Sequence, residues 1–154
     1  MHRIAIIDLG TNTFNLLVVE SAKNKTPKII FKNRIPAKLG SGGFADKIIT
    51  PKAFQRGLDA LKIHKSSIDE LSVSSIHAFA TSALRDASNG DAFLKTVREE
   101  TEIEVNIISG AREAELIYTG VSRALDIGPD DEVIVTSRTY IASVTSIVNA
   151  GAIP

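Results

Sequence analysis

The first twenty residues constrain the fold most, because two apolar segments flank one short polar turn. Residues 4–9 read IAIIDL, residues 10–13 read GTNT and residues 14–20 read FNLLVVE. This pattern predicts two strands joined by a tight turn. Gly10 can adopt the positive φ that such a turn needs. Asp8, at the end of a buried strand, is placed to hold a hydrated metal ion rather than to pack.

The turn itself has the size and chemistry of an anion site. The backbone N–H groups of residues 10–13 can point into one concavity that suits a phosphate oxygen. An ordinary β-hairpin with a polar tip is the alternative that the segment alone leaves open.

Composition excludes several classes of protein without selecting one. The chain has 154 residues, 44% hydrophobic and 23% charged, so we expect one globular α/β domain over residues 1–154. Eighteen basic and eighteen acidic residues cancel, which indicates no general affinity for nucleic acid or for a membrane. No apolar run approaches the ~20 residues of a membrane span. The absence of cysteine fits a reducing compartment, and we expect a cytoplasmic protein.

Further along the chain, strand-like and helix-like segments alternate. They predict an α/β domain with a mixed sheet in the order β-β-β-α-β-α-β-α. Thr50 and Pro51 supply an N-cap and a first-turn proline for the first helix. The other expected elements are strands at 28–31, 73–80 and 103–108, a glycine-rich loop at 35–44, a helix after 89–91, and a helix from Gly110 to about Ala124 capped by Ser109.

The positions of the histidines and phenylalanines predict whether each side chain is exposed to solvent or packed. His64 and His77 have no metal-ligand spacing with each other or with His2, and we expect the first to be solvated and the second to be packed. Phe14 and Phe54 are expected in the core.

Three segments resemble the exopolyphosphatase and guanosine pentaphosphatase family. Residues 7–19 read IDLGTNTFNLLVV, residues 77–94 read HAFATSALRDASNGDAFL, and residues 107–121 read IISGAREAELIYTGV. They follow the family's order and span about residues 1–122. The resemblance implies a ribonuclease H-like lobe of the actin, heat-shock chaperone and sugar kinase superfamily, with a mixed sheet flanked by helices.

The resemblance also implies the chemistry of the site, which is hydrolysis of a phosphoanhydride. The implied substrates are inorganic polyphosphate or guanosine pentaphosphate, and the implied cofactor is Mg²⁺. Asp8 is expected to hold Mg²⁺ through its water shell, and Glu113 to act as general base toward water. The terminal phosphate is expected to contact Gly10, Thr11, Asn12, Thr13 and Arg85.

Two of these residues also have simpler structural explanations. Arg85 could form a surface ion pair with Asp86 or Asp91, as charged residues in such loops usually do. Glu113 could be an acidic residue that the dipole stabilises at a helix N-terminus.

Departures from the family's motifs put the substrate preference and the completeness of the site in question. Asn15 stands where arginine or histidine is common, and Arg112 stands where a second glutamate is usual. Residues 133–143 read VIVTSRTYIAS, where the family has a second phosphate loop near DIGGGS. A loop without that glycine triplet cannot bring its backbone as close to a phosphate.

Residues 124–154 instead resemble a segment of the pyridoxal-phosphate sugar aminotransferases, in which an aromatic at the position of Tyr140 stacks on the cofactor. The lysine that forms the Schiff base lies beyond this segment in that family and is absent here, so pyridoxal phosphate is not expected. We therefore expect a chimera, with an exopolyphosphatase-like lobe over 1–122 and a strand-helix tail over 123–154. A diverged or truncated relative is the alternative.

Three hypotheses for function remain open at this stage. The chain is a magnesium-dependent hydrolase, a phosphate-binding module without turnover, or a chimeric lobe without activity. We expect this chain to lack the family's second lobe, so that another chain, such as a second copy in a homodimer, would have to supply the opposite wall of a full cleft.

Overall fold

The computed structural model describes residues 2–23, 26–43 and 46–125, together with Asp131. The chain divides into two compact units, residues 1–108 and residues 109–154, and each is described by itself. None of the helices in the described part of the chain is long and apolar enough to cross a membrane.

The first unit contains five strands and three helices within its described residues. In chain order they are β1 (His2–Leu9), β2 (Phe14–Ser21), β3 (Lys28–Ile35), α1 (Pro51–Glu70), β4 (Ser75–Ala80), α2 (Ser82–Arg85), α3 (Gly90–Thr101) and β5 (Val105–Ile107). The expected order of elements is confirmed, with α2 as an addition. The second unit contains α4 (Gly110–Leu125).

The five strands form one mixed sheet in the order β3-β2-β1-β4-β5. β1 pairs antiparallel with β2, with Leu9 opposite Phe14, which confirms the predicted hairpin. β1 also pairs parallel with β4, and β4 pairs parallel with β5. The third strand is longer than predicted and forms one edge of the sheet.

One face of the sheet forms the core with α1 and α3. Alternation along β1 explains this, because Ala5, Ile7 and Leu9 are fully buried whereas Ile6 and Asp8 are exposed. Phe93 of α3 is fully buried and meets the ring of Phe54 edge to face at 5.0 Å. The main core cluster also includes Phe14, Leu16, Val18, Leu58, Leu61, Ala78, Ala80, Val97 and Ile103.

The helix boundaries follow local signals. Thr50 accepts a hydrogen bond from the backbone N–H of Ala53, and Pro51 occupies the first turn, so the predicted start of α1 is confirmed. α3 begins at Gly90, where a side chain would overlap the backbone carbonyl of Leu84. Glycine at this position therefore allows α2 and α3 to approach closely.

The predictions that His64 is solvated and that His77 is packed were both wrong. His64 is fully buried and His77 is exposed. His64 follows Gly57 and Leu61 on the buried stripe of α1, so helical spacing outweighs its polarity. Neither ring nitrogen of His64 makes a hydrogen bond within the described residues. Burial lowers the pKa of His64, and the nearby backbone of Phe14 opposes that shift to a smaller extent.

Candidate phosphate-binding site

The parallel strands bring their carboxyl ends to one edge of the sheet. Leu9 at the end of β1 lies opposite Ala80 of β4, and Ala80 lies opposite Ile107 of β5. The turn after β1, residues 10–13, and the helix after β4 therefore meet at this edge. Ligands of open α/β sheets bind outside the carboxyl ends of the strands.

The 10–13 turn is closed by a hydrogen bond from the backbone N–H of Gly10 to the carbonyl of Thr13, at 3.1 Å. Gly10 does not have the positive φ expected for it. Glycine is favoured here for a different reason, because a Cβ atom would lie 3.0 Å from the Thr13 carbonyl oxygen. The Gly10 N–H is thus used within the turn and is not free for a ligand.

The loop after β3 orients the rest of the turn. The backbone N–H of Leu39 donates to the carbonyl of Thr11 at 2.8 Å, and that of Lys38 donates to the carbonyl of Asn12 at 2.9 Å. In a planar trans peptide the N–H points opposite to the carbonyl, so the N–H groups of Asn12 and Thr13 face away from this loop. Neither has an acceptor within the described residues. These two N–H groups are available to donate hydrogen bonds to a bound anion.

Asp8 lies beside this turn on the exposed face of β1. It is the cross-strand partner of Asn15, whose amide Nδ2 donates to its Oδ2 at 3.0 Å. This bond fixes the carboxylate and leaves Oδ1 without a protein partner in the described part of the chain. Because Mg²⁺ is commonly held by one or two carboxylates, waters and substrate phosphates, Asp8 fits such an ion.

Within the described residues, no three histidine, aspartate or glutamate side chains are grouped so that they could hold a metal ion together. Any Mg²⁺ bound through Asp8 would therefore depend on water and on phosphate oxygens for most of its ligands.

Arg85 ends α2 and is held in place by two neighbours. Its Nε donates to Asp86 Oδ1 at 3.3 Å, and its NH1 group donates to the carbonyl of Ile108 at 3.1 Å. The ion pair expected as the simpler alternative is thus present with Asp86. A guanidinium has five N–H donors, so others remain for a phosphate.

α2 approaches the turn through Ser82. The hydroxyl oxygens of Ser82 and Thr11 are 3.5 Å apart, which is a long contact for a hydrogen bond. Ser82 and Arg85 are three residues apart on α2, on neighbouring positions of one helical face. The structure therefore brings Asp8, the 10–13 turn and the Arg85-bearing helix to the same edge of the first unit.

Glu113 belongs to the second unit and is described there alone. It lies in the first turn of α4, and its backbone N–H donates to the carbonyl of Ser109 at 2.9 Å. The Ser109 hydroxyl accepts from the N–H of Arg112, which confirms the predicted cap. Arg112 pairs with Glu115 at 2.7 Å, whereas Glu113 has no ion pair within the described residues.

The sequence did not point to Lys38, Leu39 or Ser82. The first two act through backbone N–H groups, which carry no residue signature, and they lie within the glycine-rich loop at 35–44, which has no periodic pattern. Ser82 lies within the second motif, next to Thr81, and its proximity to Thr11 depends on the parallel pairing of β1 with β4.

Comparison with known proteins identifies the family to which the chain is similar. A model of the Ppx/GppA phosphatase family matches residues 17–136. The match begins after the 10–13 turn and continues into segment 124–154. The expected resemblance of that segment to aminotransferases finds no support, and its predicted strand and helix lie outside the described residues.

Solved structures of similar proteins share the fold. An exopolyphosphatase from Cytophaga hutchinsonii is 38% identical, with a TM-score of 0.81 over 85% of this chain and 42% of its own. The Ppx/GppA family member of Aquifex aeolicus is 27% identical, with a TM-score of 0.76 over 85% of this chain and 42% of its own. The first unit thus has the actin-like, ribonuclease H-like architecture that was predicted.

A curated relative points to the same family. The bifunctional 3-dehydroquinate synthase/phosphatase of Fusobacterium nucleatum is 38% identical over 137 residues, which is 85% of this chain and 21% of that protein. The chain therefore spans less than half the length of each of these relatives. By its family match and these similarities, the chain belongs to the Ppx/GppA phosphatase family.

Proposed function

We propose that this chain is one lobe of a phosphoanhydride hydrolase that releases terminal phosphate from inorganic polyphosphate or guanosine pentaphosphate with Mg²⁺. Family membership supports hydrolysis of a phosphoanhydride, and the 10–13 turn is the observation that carries the proposal to this chain. Two N–H groups of that turn face away from the loop that anchors it and have no acceptor in the described part of the chain.

Each residue has a distinct role in the proposed reaction. The terminal phosphoryl group binds the turn formed by Gly10, Thr11, Asn12 and Thr13, with the N–H groups of Asn12 and Thr13 as donors. Arg85 neutralises charge on the same group through donors that Asp86 and Ile108 leave free. Catalysis of this kind depends mainly on positioning and on charge neutralisation.

Asp8 and Glu113 complete the proposed chemistry. Asp8 would hold Mg²⁺, which neutralises the charge that develops on phosphate oxygens when it is bound. Asn15 keeps the Asp8 carboxylate in one orientation. Glu113, assigned by its motif and its place in the first turn of α4, would accept a proton from the attacking water.

A phosphate-binding module without turnover is the second candidate. The observation that favours it is the segment 133–143, which has no glycine where the family's second phosphate loop has three. Such a module would bind phosphate at the 10–13 turn and release none.

The deciding experiment is magnesium-dependent release of phosphate from long-chain polyphosphate by the purified chain. We expect release by the parent and loss in Glu113→Gln. Glu115→Gln is the matched control, because Glu115 lies on the same helix, is exposed and has no proposed role. Release that survives in Glu113→Gln would refute the assigned base.

Binding separates the two candidates if no phosphate is released. Polyphosphate that binds the folded parent, and fails to bind Gly10→Val, would favour the binding module. A valine side chain at this position would crowd the Thr13 carbonyl and displace the turn. Absence of binding to the folded parent would refute both candidates.

A further inference from the structure

Arg56 of α1 contacts the loop that anchors the 10–13 turn. Its Nε donates to the carbonyl of Ala37 at 3.1 Å, and its Nη2 donates to the carbonyl of Lys38 at 2.9 Å. A guanidinium presents its N–H donors in a fixed planar fork, which suits two neighbouring carbonyls. We call residues 37–39 the anchor segment, because this segment holds the turn through its backbone N–H groups.

One chain of hydrogen bonds runs from Arg56 through two peptide groups to Thr13. The Ala37 carbonyl, which accepts from Nε of Arg56, shares its peptide group with the N–H of Lys38. That N–H donates to the carbonyl of Asn12 at 2.9 Å. The Asn12 carbonyl shares its peptide group with the N–H of Thr13, which has no acceptor within the described residues. Because the carbonyl and the N–H of a trans peptide point in opposite directions, the guanidinium and the unpaired N–H lie at opposite ends of this chain.

A second chain of the same kind ends at Asn12. The Lys38 carbonyl accepts from Nη2 of Arg56 and shares its peptide group with the N–H of Leu39. The Leu39 N–H donates to the carbonyl of Thr11 at 2.8 Å, and that carbonyl shares its peptide group with the N–H of Asn12. One guanidinium therefore lies behind both of the N–H groups that the turn offers to an anion.

Arg56 affects both the orientation and the strength of these two donors. A hydrogen bond from a charged donor is stronger than one between neutral groups, and it polarises the peptide group that accepts it. A peptide group polarised at its oxygen donates more strongly through its N–H. The positive charge of Arg56 is therefore transmitted along each chain to the N–H groups of Asn12 and Thr13, where it favours a negative ligand.

The anchor segment needs this support because its backbone is strained. Lys38 has a φ of 46°, in the left-handed region that residues other than glycine rarely adopt. Its neighbours Ala37 and Leu39 are buried. A Cβ atom on Gly57, the residue after Arg56, would lie 2.9 Å from Cδ2 of Leu39, so the segment packs closely against α1. Contacts with α1 thus maintain a conformation that local backbone preference disfavours.

We propose that Arg56 is a positioning residue for the bound phosphate. Through the anchor segment it orients and polarises the N–H groups of Asn12 and Thr13, and it does not touch the phosphate itself. The inference rests on the proposed function, because it assigns one more residue to the same site. It also gives two arginines different roles, since Arg85 contacts phosphate directly in the proposed reaction and Arg56 acts from behind the turn.

The test is calorimetric binding of inorganic tripolyphosphate to the full chain with Mg²⁺, with Arg56→Gln as the main variant. Glutamine has no charge and no donor fork that spans two carbonyls. Two N–H donors depend on this side chain, and one hydrogen bond to a charged group is worth roughly a tenfold change in affinity. We therefore expect Arg56→Gln to bind about tenfold more weakly or worse, and Arg56→Lys, which keeps the charge, to recover part of the loss.

Arg3→Gln is the matched control. Arg3 also donates to a backbone carbonyl, that of Leu71 at 2.7 Å, but it lies at the start of β1, whereas the turn follows the end of this strand. We expect this variant to bind tripolyphosphate as the parent does. Urea unfolding of both variants establishes that the chain is folded under the conditions of the binding measurement.

Amide nitrogen–proton correlation spectra of the ligand-free chain give a second readout, which a merely structural role would not change. Arg56→Gln should move the amide signals of Asn12 and Thr13, because both N–H groups lose their polarisation and their fixed orientation. Arg56→Lys should move these signals back toward those of the parent, and Arg3→Gln should leave them in place.

The outcomes separate this inference from the proposed function. Equal binding of tripolyphosphate by the parent and Arg56→Gln would overturn the inference and leave the phosphate site intact, and so would unchanged amide signals of Asn12 and Thr13. An equal loss of binding in Arg3→Gln would indicate general destabilisation and would also overturn it. Failure of the folded parent to bind tripolyphosphate would count against the proposed function and overturn the inference with it.

Discussion

Replacement of His64 by leucine should stabilise the protein and flatten its response to acid. His64 is fully buried, and both ring nitrogens lack hydrogen bonds within the described residues. A buried polar group without a partner costs about 1–3 kcal/mol, so His64→Leu should raise the free energy of unfolding by roughly this amount at neutral pH.

The pH dependence follows from the direction of the pKa shift. Burial lowers the pKa of His64 below the ordinary histidine value of 6.5, so below pH 6.5 the unfolded chain binds a proton that the folded chain binds less readily. The contribution of His64 to the free energy of unfolding is therefore complete above pH 6.5, and it is lost as the pH drops toward the folded-state pKa. At pH 5.5 this loss amounts to at most about 1.4 kcal/mol, since one unit of pKa difference corresponds to 1.36 kcal/mol.

Urea unfolding at pH 7.5 and pH 5.5 measures both effects. We expect the parent to lose stability between the two values by up to ~1.4 kcal/mol more than His64→Leu. His77→Gln, which changes an exposed histidine, should behave as the parent. If the parent and His64→Leu lose the same stability between pH 7.5 and pH 5.5, the proposed link between protonation of His64 and stability is refuted. Destabilisation by the leucine at pH 7.5 would show that a ring nitrogen holds a hydrogen bond, with the backbone of Phe14 as the nearest candidate.

Three further substitutions test the packing that positions the site. Gly90→Ala should destabilise by about 1–3 kcal/mol in urea unfolding, because its Cβ would overlap a carbonyl of α2; Gly120→Ala, with nothing within 4 Å, should be neutral or stabilising. Phe93→Ala should cost about 3–5 kcal/mol by the same measurement, and a loss below 1 kcal/mol would contradict its full burial. Asn89→Ala should cost about 1–3 kcal/mol, because both backbone groups of Ile49 lose their partner; unchanged stability would mean that water replaces the side chain.

Strong local signals predicted most of the fold. The start of α1 could be located because Thr50 and Pro51 combine a cap with a fixed φ, and the hairpin because apolar segments flank a four-residue turn. α2 was missed because four residues are too few to show a helical period. β5 is shorter than predicted, since only Val105–Ile107 pair with β4 while Ile103 enters the core without pairing.

The site was predictable only in part, for a physical reason. Side chains such as Asp8 and Arg85 appear in motifs and could be named. The orientation of the 10–13 turn depends on backbone donors at Lys38 and Leu39, and any residue type can supply these. The role of Gly10 was likewise mistaken, because close approach to a carbonyl and a positive φ both favour glycine.

The parallel pairing of β1 with β4 also determines when the chain can fold during synthesis. Arg3 and Ser74 are hydrogen-bonded at a separation of 71 residues, and the central strand of the sheet has no partner on that side until β4 exists. Closing so long a loop is slow, and contacts of high sequence separation delay folding. A nascent chain emerging from the ribosome can therefore form the early hairpin, but the β1 edge of that hairpin stays unpaired until β4, which ends at Ala80, has been released.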